Sequence, residues 1–143
     1  MIIVTGGAGF IGSNLINHLL RSNKSRIVSV DWHNRFNENY FSDKGFEKVN
    51  PGKIFELLKK RKKEISIVIH LGAITSTTEQ NLDLIIKNNI DLSLMLWDWC
   101  KSNNKRLIYA SSAATYGDGD KGFSDEKSDS YLSKLIPLNL YGW

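Results

Sequence analysis

The sequence predicts an α/β domain in three layers, with helices on both faces of a doubly wound parallel sheet. Short apolar runs alternate along the chain with stretches of helical period, an order that requires crossover connections and a parallel sheet. The first run stops at Gly6-Gly7-Ala8-Gly9-Phe10-Ile11-Gly12, where a helical period begins. The run over Ile27 to Val30 ends on an acidic residue, Asp31.

Residues 1–5 read as a buried strand, because they are apolar and end at glycines. Ile11, Leu15, Ile16, Leu19 and Leu20 repeat at helical spacing. Residues 27–31 read as a second strand, and residues 32–51 as loop with one short strand. Lys53 to Lys62 reads as a helix with Ile54, Leu57 and Leu58 on one side. The run from Ile65 to Leu71 is another buried strand that ends at Gly72. Asn81 to Ser102 reads as one long helix, with Trp97 and Trp99 expected to pack beside Leu92, Met95 and Leu96. Arg106 to Ala110 is a further strand. Residues 117–130, rich in Gly, Asp and Ser, read as a mobile surface loop.

The glycine turn carries the clearest chemistry. Gly7-x-Gly9-x-x-Gly12 lies between a strand and a helix, the context in which it binds a dinucleotide. Gly6 and Gly7 permit the tight turn, and Gly9 lets the backbone approach a pyrophosphate. Gly12 lets helix and strand pack closely, while the helix amino terminus offers unpaired N–H groups. Asp31 stands nineteen residues beyond Gly12, placed to accept from the ribose hydroxyls of a Rossmann-type site. Its charge disfavours the extra phosphate of NADP, whereas Arg35, four residues on, favours it. The residues alone leave NAD and NADP both open.

Composition narrows the remaining classes. The chain has 143 residues, 41% hydrophobic and 24% charged, with a net charge of +4. That suits a phosphate-bearing ligand and is too mild and scattered for nucleic acid. Residues 1–4 have no basic leader and are too few for a signal peptide or membrane span, so the expected address is cytoplasmic. Lys59-Lys60-Arg61-Lys62-Lys63 reads as a solvated helix end. Cys100 reads as a reduced packing residue. His70 reads as packed rather than as a base, and no metal is expected, since His18, His33 and His70 have no ligands at metal spacing. Thr77, Thr78 and Glu79 read equally as helix caps and as substrate contacts.

Two later stretches add hydroxyl groups: Ala110-Ser111-Ser112-Ala113-Ala114-Thr115-Tyr116-Gly117, beyond a strand end, and Pro137-Leu138-Asn139-Leu140-Tyr141-Gly142. A tyrosine with pKa near 10 needs a nearby cation to serve as a base at neutral pH. With the glycine turn and Ser76-Thr77-Thr78-Glu79, these stretches resemble the extended short-chain dehydrogenase/reductase family, of the NAD-dependent epimerase/dehydratase type. The resemblance implies an isomerase that inverts a nucleotide-activated sugar by transient oxidation with bound NADP, or NAD. The more specific marks imply an ADP-linked heptose inverted at position 6, in lipopolysaccharide-type sugar metabolism. The alternatives are a UDP-sugar 4-epimerase, a dTDP-sugar dehydratase, or a non-catalytic NAD(P)-binding protein. Ala113 and Ala114 stand where a dehydratase carries an acidic pair.

The resemblance assigns Tyr141 as acid/base and Ser112 as the hydroxyl that bonds the reacting oxygen. It assigns Gly6, Gly9, Phe10, Ile11, Gly12, Asp31, Trp32, Leu71, Gly72, Ala73, Ile74, Thr75 and Asn88 to the cofactor. Ser76, Thr77, Thr78 and Glu79 fall to the sugar. The stretch from Arg35 to Pro51 is shorter than in the heptose branch and lacks its lysine-bearing segment. The family's lysine and its carboxyl-terminal substrate domain would follow residue 143. Residues 1–143 are therefore expected to form the dinucleotide-binding domain alone, inactive by itself, from a protein that is homo-oligomeric at full length.

Overall fold

A computed structural model describes residues 1–22, 25–41, 45–125 and 128–142. Trp143, and Glu126 and Lys127 of the 117–130 loop, lie outside the described residues. The chain forms two compact units, Met1–Ala73 with Ser93–Ala110, and Ile74–Leu92 with Ser111–Trp143.

The first unit is a five-stranded parallel sheet of β1 (Ile2–Thr5), β2 (Ile27–Val30), β3 (Phe46–Val49), β4 (Ile67–His70) and β5 (Arg106–Tyr109). Their order is β3-β2-β1-β4-β5. The order reverses between β1 and β4, and ligands of such sheets bind at the carboxyl ends of the strands beside that reversal. Thr5 pairs with Val30 on one side and His70 on the other, so the turns after β1, β2 and β4 leave the sheet at one level. β1 and β2 are buried throughout, which is why their sequences are apolar without alternation. Helix α1 (Phe10–Ser22) buries Ile16 completely, and α2 (Ile54–Lys60) does the same with Leu58.

Among the described residues of the 32–51 stretch lie β3 and the 3-10 turns His33–Arg35 and Glu38–Tyr40, and a third, Pro51–Lys53, begins at its end. An aromatic group holds this segment, with Phe41 and Phe46 ring centres 4.7 Å apart and Phe36 beside both. On β3, Glu47 receives Arg26 at 2.8 Å and Arg61 at 2.6 Å. The Arg61 hydrogen bond holds the Glu47 carboxyl below the usual carboxylate range. Arg61 is thus a tie between α2 and the sheet edge, which corrects its expected place on a solvated helix end. Lys60 instead pairs with Glu56 one turn back, at 2.6 Å.

Helix α4 (Leu92–Ser102) buries Leu96 and Cys100, while Met95 and Trp97 are about half exposed or more. Packing of Trp97 is therefore not observed. The buried stripe is the narrow i, i+4 pair, and the tryptophan lies on its flank.

In the second unit, α3 (Leu82–Ile85) runs into a π-helical segment, Ile86–Asp91, before α4 begins. The single helix expected over 81–102 is thus widened in its middle. There the Asn89 amide accepts from the Ile74 N–H at 2.8 Å and donates to the Ile74 carbonyl at 2.9 Å. Such π segments often accompany functional sites.

Two tyrosines pin the described part of the 117–130 stretch at Gly122 and Ser124. Tyr116 Oη donates to the Ser124 carbonyl at 2.6 Å, and Tyr131 Oη donates to Gly122 while accepting from the Ser124 N–H. Its glycines and aspartates mark successive turns, the reason it reads as unstructured. Ser128 caps α5 (Asp129–Leu132). No helix among the described residues is long and apolar enough to cross a membrane.

Candidate functional site

In the first unit, the chain leaves β1 at Gly6, where φ is +69°, a conformation that favours glycine. A Cβ there would lie 2.7 Å from the Gly72 nitrogen. The turn after β1 therefore touches the turn after β4 backbone to backbone. One α1 turn on, a Cβ at Gly12 would meet the Gly6 carbonyl oxygen and lie 2.7 Å from the Gly7 Cα. The absence of both side chains folds the turn onto the start of α1. The first intrahelical bond runs from Ser13 N–H to the Gly9 carbonyl, and the amides before it point out of the helix end. Phe10 and Ile11, at that end, are 85% and 65% exposed. An open cradle of amides with a bare backbone fits a diphosphate.

Asp31 is buried, yet it faces this turn. Its Oδ2 accepts from the Ala8 N–H at 3.0 Å and its Oδ1 from the Trp32 N–H at 2.8 Å. Each bond is charge-assisted and so stronger than a neutral one. Asp31 therefore fastens the glycine turn to the end of β2, a task that sequence spacing did not reveal. The exposed Arg35 guanidinium stands 3.9 Å from Asp31 Oδ1, and Trp32 is exposed beside it. Beneath Gly7 lies Ser29 Oγ, buried and without a hydrogen-bond partner among the described residues. A side chain on Gly7 would run into it.

His70, at the end of β4, is fully enclosed, with burial pushing its imidazole down to about 4. An unfolded histidine titrates near 6.5, so between these values the unfolded chain takes a proton that the folded chain refuses. Stability should then be fully present above pH 6.5 and fall by about 3 kcal/mol as pH drops to about 4. Denaturant melts across this range, with and without His70→Asn, check it. The variant should flatten the slope, and an unchanged slope would contradict the assignment. Sequence reading placed His70 as a packed residue and missed its polar partners, taken up below.

The second unit gathers the hydroxyl residues. Ser112 caps a 3-10 turn, Ala113–Tyr116, by accepting from the Ala114 N–H at 3.1 Å. With a lone pair so engaged, its own proton remains available to donate. Gly142, beside Tyr141, is buried, and a Cβ there would lie 2.6 Å from the Ala114 carbonyl. The turn of Tyr141 thus sits on the turn of Ser112. This juxtaposition joins residues twenty-nine positions apart. Thr77, Thr78, Glu79 and Gln80 line an open depression of about 250 Å³ with Asn139 and Leu140.

The helix-cap reading of Thr77 and Thr78 is not what the structure shows. Asn81 caps α3 by accepting from the Leu84 N–H, while Glu79 Oε1 accepts from the N–H groups of Gln80 and Asn81. Ser76 and Thr78 bond each other at 3.1 Å. Asn88 donates to the Leu84 carbonyl one turn back, and its neighbour Asn89 grips Ile74. Sequence reading missed Asn89, although an Asn-Asn pair inside a helical period was its signal. Gly6, Gly9, Phe10, Ile11, Gly12, Asp31, Trp32, Leu71, Gly72 and Ala73 belong to the first unit, and the remaining candidates to the second. Among the described residues no group of three or more His, Cys, Asp or Glu side chains stands together to hold a metal ion.

Known proteins resemble this chain over nearly its whole length. The NAD dependent epimerase/dehydratase family matches residues 2–143. ADP-L-glycero-D-manno-heptose-6-epimerase of Fusobacterium nucleatum is 41% identical over 150 residues, covering all of this chain and 44% of that protein. The enzyme of the same name from Nitratidesulfovibrio vulgaris is 40% identical, with 45% of its length covered. The crystal structure of the Helicobacter pylori heptose epimerase superposes with a TM-score of 0.75 at 29% identity, covering 99% of this chain and 46% of that one. The UDP-glucuronic acid 4-epimerase of Bacillus cereus, solved with NAD, gives 0.77 at 27% identity, covering 99% and 47%. The chain spans just under half the length of these relatives.

Proposed function

The chain belongs to the NAD dependent epimerase/dehydratase family, and from that footing we propose that it is the dinucleotide-binding part of an epimerase acting on an ADP-linked glycero-manno-heptose at position 6. The observation that carries the proposal is the seating of the Tyr141 turn on the Ser112 turn. One phenol and one hydroxyl with a proton to donate come from the same small unit, as general acid/base chemistry at a carbinol requires. The similarity to curated heptose epimerases over the whole chain supports the sugar.

The cofactor, NADP in this reading, supplies a reversible hydride acceptor. The chain's own residues do the rest. The α1 amides and the bare turn at Gly9 and Gly12 hold the diphosphate, with Phe10 and Ile11 beside it. Trp32 borders the ribose, and Arg35 offers a cation for a ribose phosphate. Asp31 accepts from the ribose hydroxyls with the lone pairs left beyond Ala8 and Trp32. Leu71, Gly72, Ala73, Ile74, Thr75 and Asn88 continue the cofactor contacts. Tyr141 removes the hydroxyl proton of the reacting carbon and later returns it, and Ser112 donates to the same oxygen. Thr77, Thr78 and Glu79 border the sugar in the depression described above, and Ser76 adjoins them through its bond to Thr78.

Residues 1–143 are the dinucleotide-binding domain of a longer, cytoplasmic enzyme. Exposed Leu94, Met95 and Trp97 on α4 support a homo-oligomer. A UDP-sugar 4-epimerase is the second reading, supported by the Bacillus cereus structure.

The test is proton NMR of ADP-D-glycero-D-manno-heptose incubated with the full-length protein. Conversion to the L-glycero epimer with no net change in nicotinamide absorbance is expected. An untouched substrate, with UDP-glucuronate converted instead, would overturn the heptose assignment in favour of the second reading.

A further inference from the structure

At the meeting of the turns after β1 and β4 lies a buried polar chain that none of the site assignments uses. Thr5 and His70 are register partners and both are almost wholly enclosed. Thr5 Oγ1 accepts from the Leu71 N–H at 3.2 Å and the Gly72 N–H at 3.0 Å. A hydroxyl has two lone pairs and one proton. The Leu71 N–H is shared with the Thr5 carbonyl at 3.3 Å, but among the described residues the Thr5 hydroxyl proton has one acceptor in reach, His70 Nδ1 at 2.6 Å, so Thr5 is the donor in that contact. Nδ1 is therefore an unprotonated acceptor. Nε2 then carries the ring proton and donates to Ser93 Oγ, 3.0 Å away at the start of α4. The tautomer thus follows from counting donors.

We propose that His70 is a positioning residue for the dinucleotide site, fixing through Thr5 the amides of Leu71 and Gly72 against the Gly6 turn. The inference rests on the function proposed above. Its physical content lies in three links. The Thr5 hydroxyl orients the peptide between Leu71 and Gly72. That peptide meets Gly6, where no Cβ intervenes. The imidazole, anchored on α4 by Ser93 and flanked by the Tyr109 ring at 5.7 Å, fixes the direction of the hydroxyl. If His70 turned away, Thr5 could rotate its proton toward another acceptor. The turn after β4 would then lose its stop against the glycine turn.

The partners of the ring are all uncharged: Thr5 on β1, Ser93 on α4 and Tyr109 on β5. A protonated imidazole would set its new Nδ1–H against the Thr5 proton. One tautomer is therefore tied to one arrangement of the two turns.

The test is calorimetric titration of the full-length protein and four variants with NAD⁺ and NADP⁺ at neutral pH, together with ring-nitrogen NMR of the unsubstituted protein. His70→Asn keeps an acceptor at the Nδ1 position, and Thr5→Ser keeps the hydroxyl. Both should bind within about threefold of the parent, whereas His70→Leu and Thr5→Val should weaken binding by about tenfold or more. The NMR should show Nε2 protonated and Nδ1 bare. Equal binding by folded His70→Leu, or binding by His70→Asn as weak as that of His70→Leu, would overturn the inference. So would a protonated Nδ1. If His70→Leu fails to fold, the Thr5 pair and the ring spectrum decide. Failure of the unsubstituted protein to take up either dinucleotide would overturn the proposed function and this inference together. Uptake indifferent to all four substitutions would overturn the inference alone.

Discussion

Gly12→Ala is expected to weaken dinucleotide binding by the full-length protein about thirty- to a hundredfold, equivalent to about 2–3 kcal/mol. The added methyl would meet the Gly6 carbonyl and sit 2.7 Å from the Gly7 Cα and 2.9 Å from the Gly6 carbonyl carbon. All three are backbone atoms within the cradle itself, so no side chain can swing aside to relieve the collision. Either the turn opens or α1 starts later, and both move the amides that point at the diphosphate. Gly52→Ala is the control, since a Cβ there meets only Asn50 Oδ1 at an ordinary 3.4 Å. It should bind as the parent does. Titration calorimetry on both variants reads the difference, and a Gly12→Ala protein that binds within threefold would contradict the cradle.

Tyr141→Phe is expected to lower epimerase turnover by the full-length protein about 10²- to 10⁴-fold, the usual contribution of a positioned acid/base. The ring and its packing are kept, and only the phenol proton is lost. Among the described residues the Tyr141 phenol has no hydrogen bond to lose, and its neighbour Gly142 makes the contact with the Ser112 turn. Dinucleotide affinity should hardly change. Rates measured by following the two sugar epimers check this, and turnover above a tenth of the parent's would remove Tyr141 from the chemistry.

Most of the sheet was legible because buried parallel strands are apolar without interruption, and β1, β2 and β4 have no competing pattern. The glycine turn was legible for a related reason. Gly6 and Gly12 mark places where backbone meets backbone, and only glycine allows that. The less visible parts depend on pairings distant in sequence. Asp31 reads as a ribose ligand by spacing, yet its bond to Ala8 joins residues twenty-three apart. The Thr5–His70 bond spans sixty-five. A lone Thr and a lone His at strand ends give no local sign that they are partners. The π segment was hidden because its residues keep a helical composition, and the clasp of Asn89 on Ile74 is tertiary. The tyrosine clasps of the 117–130 stretch were masked by its glycine content, which signals turns without saying what pins them. The exposed flank of α4 was misread because apolar residues at helical spacing indicate a packed face, and here Leu96 and Cys100 are buried and Leu92 and Trp99 partly so, while Met95 and Trp97 stay exposed.

Direct titration of full-length protein, freed of any bound nucleotide, with NAD⁺ and NADP⁺ probes the account at its root. It predicts saturable uptake of at least one dinucleotide, with micromolar or tighter affinity, weakened about thirty- to a hundredfold in Gly12→Ala and kept in Gly52→Ala. Absence of binding heat for both dinucleotides in folded protein, with no nucleotide released from the original preparation, would contradict it.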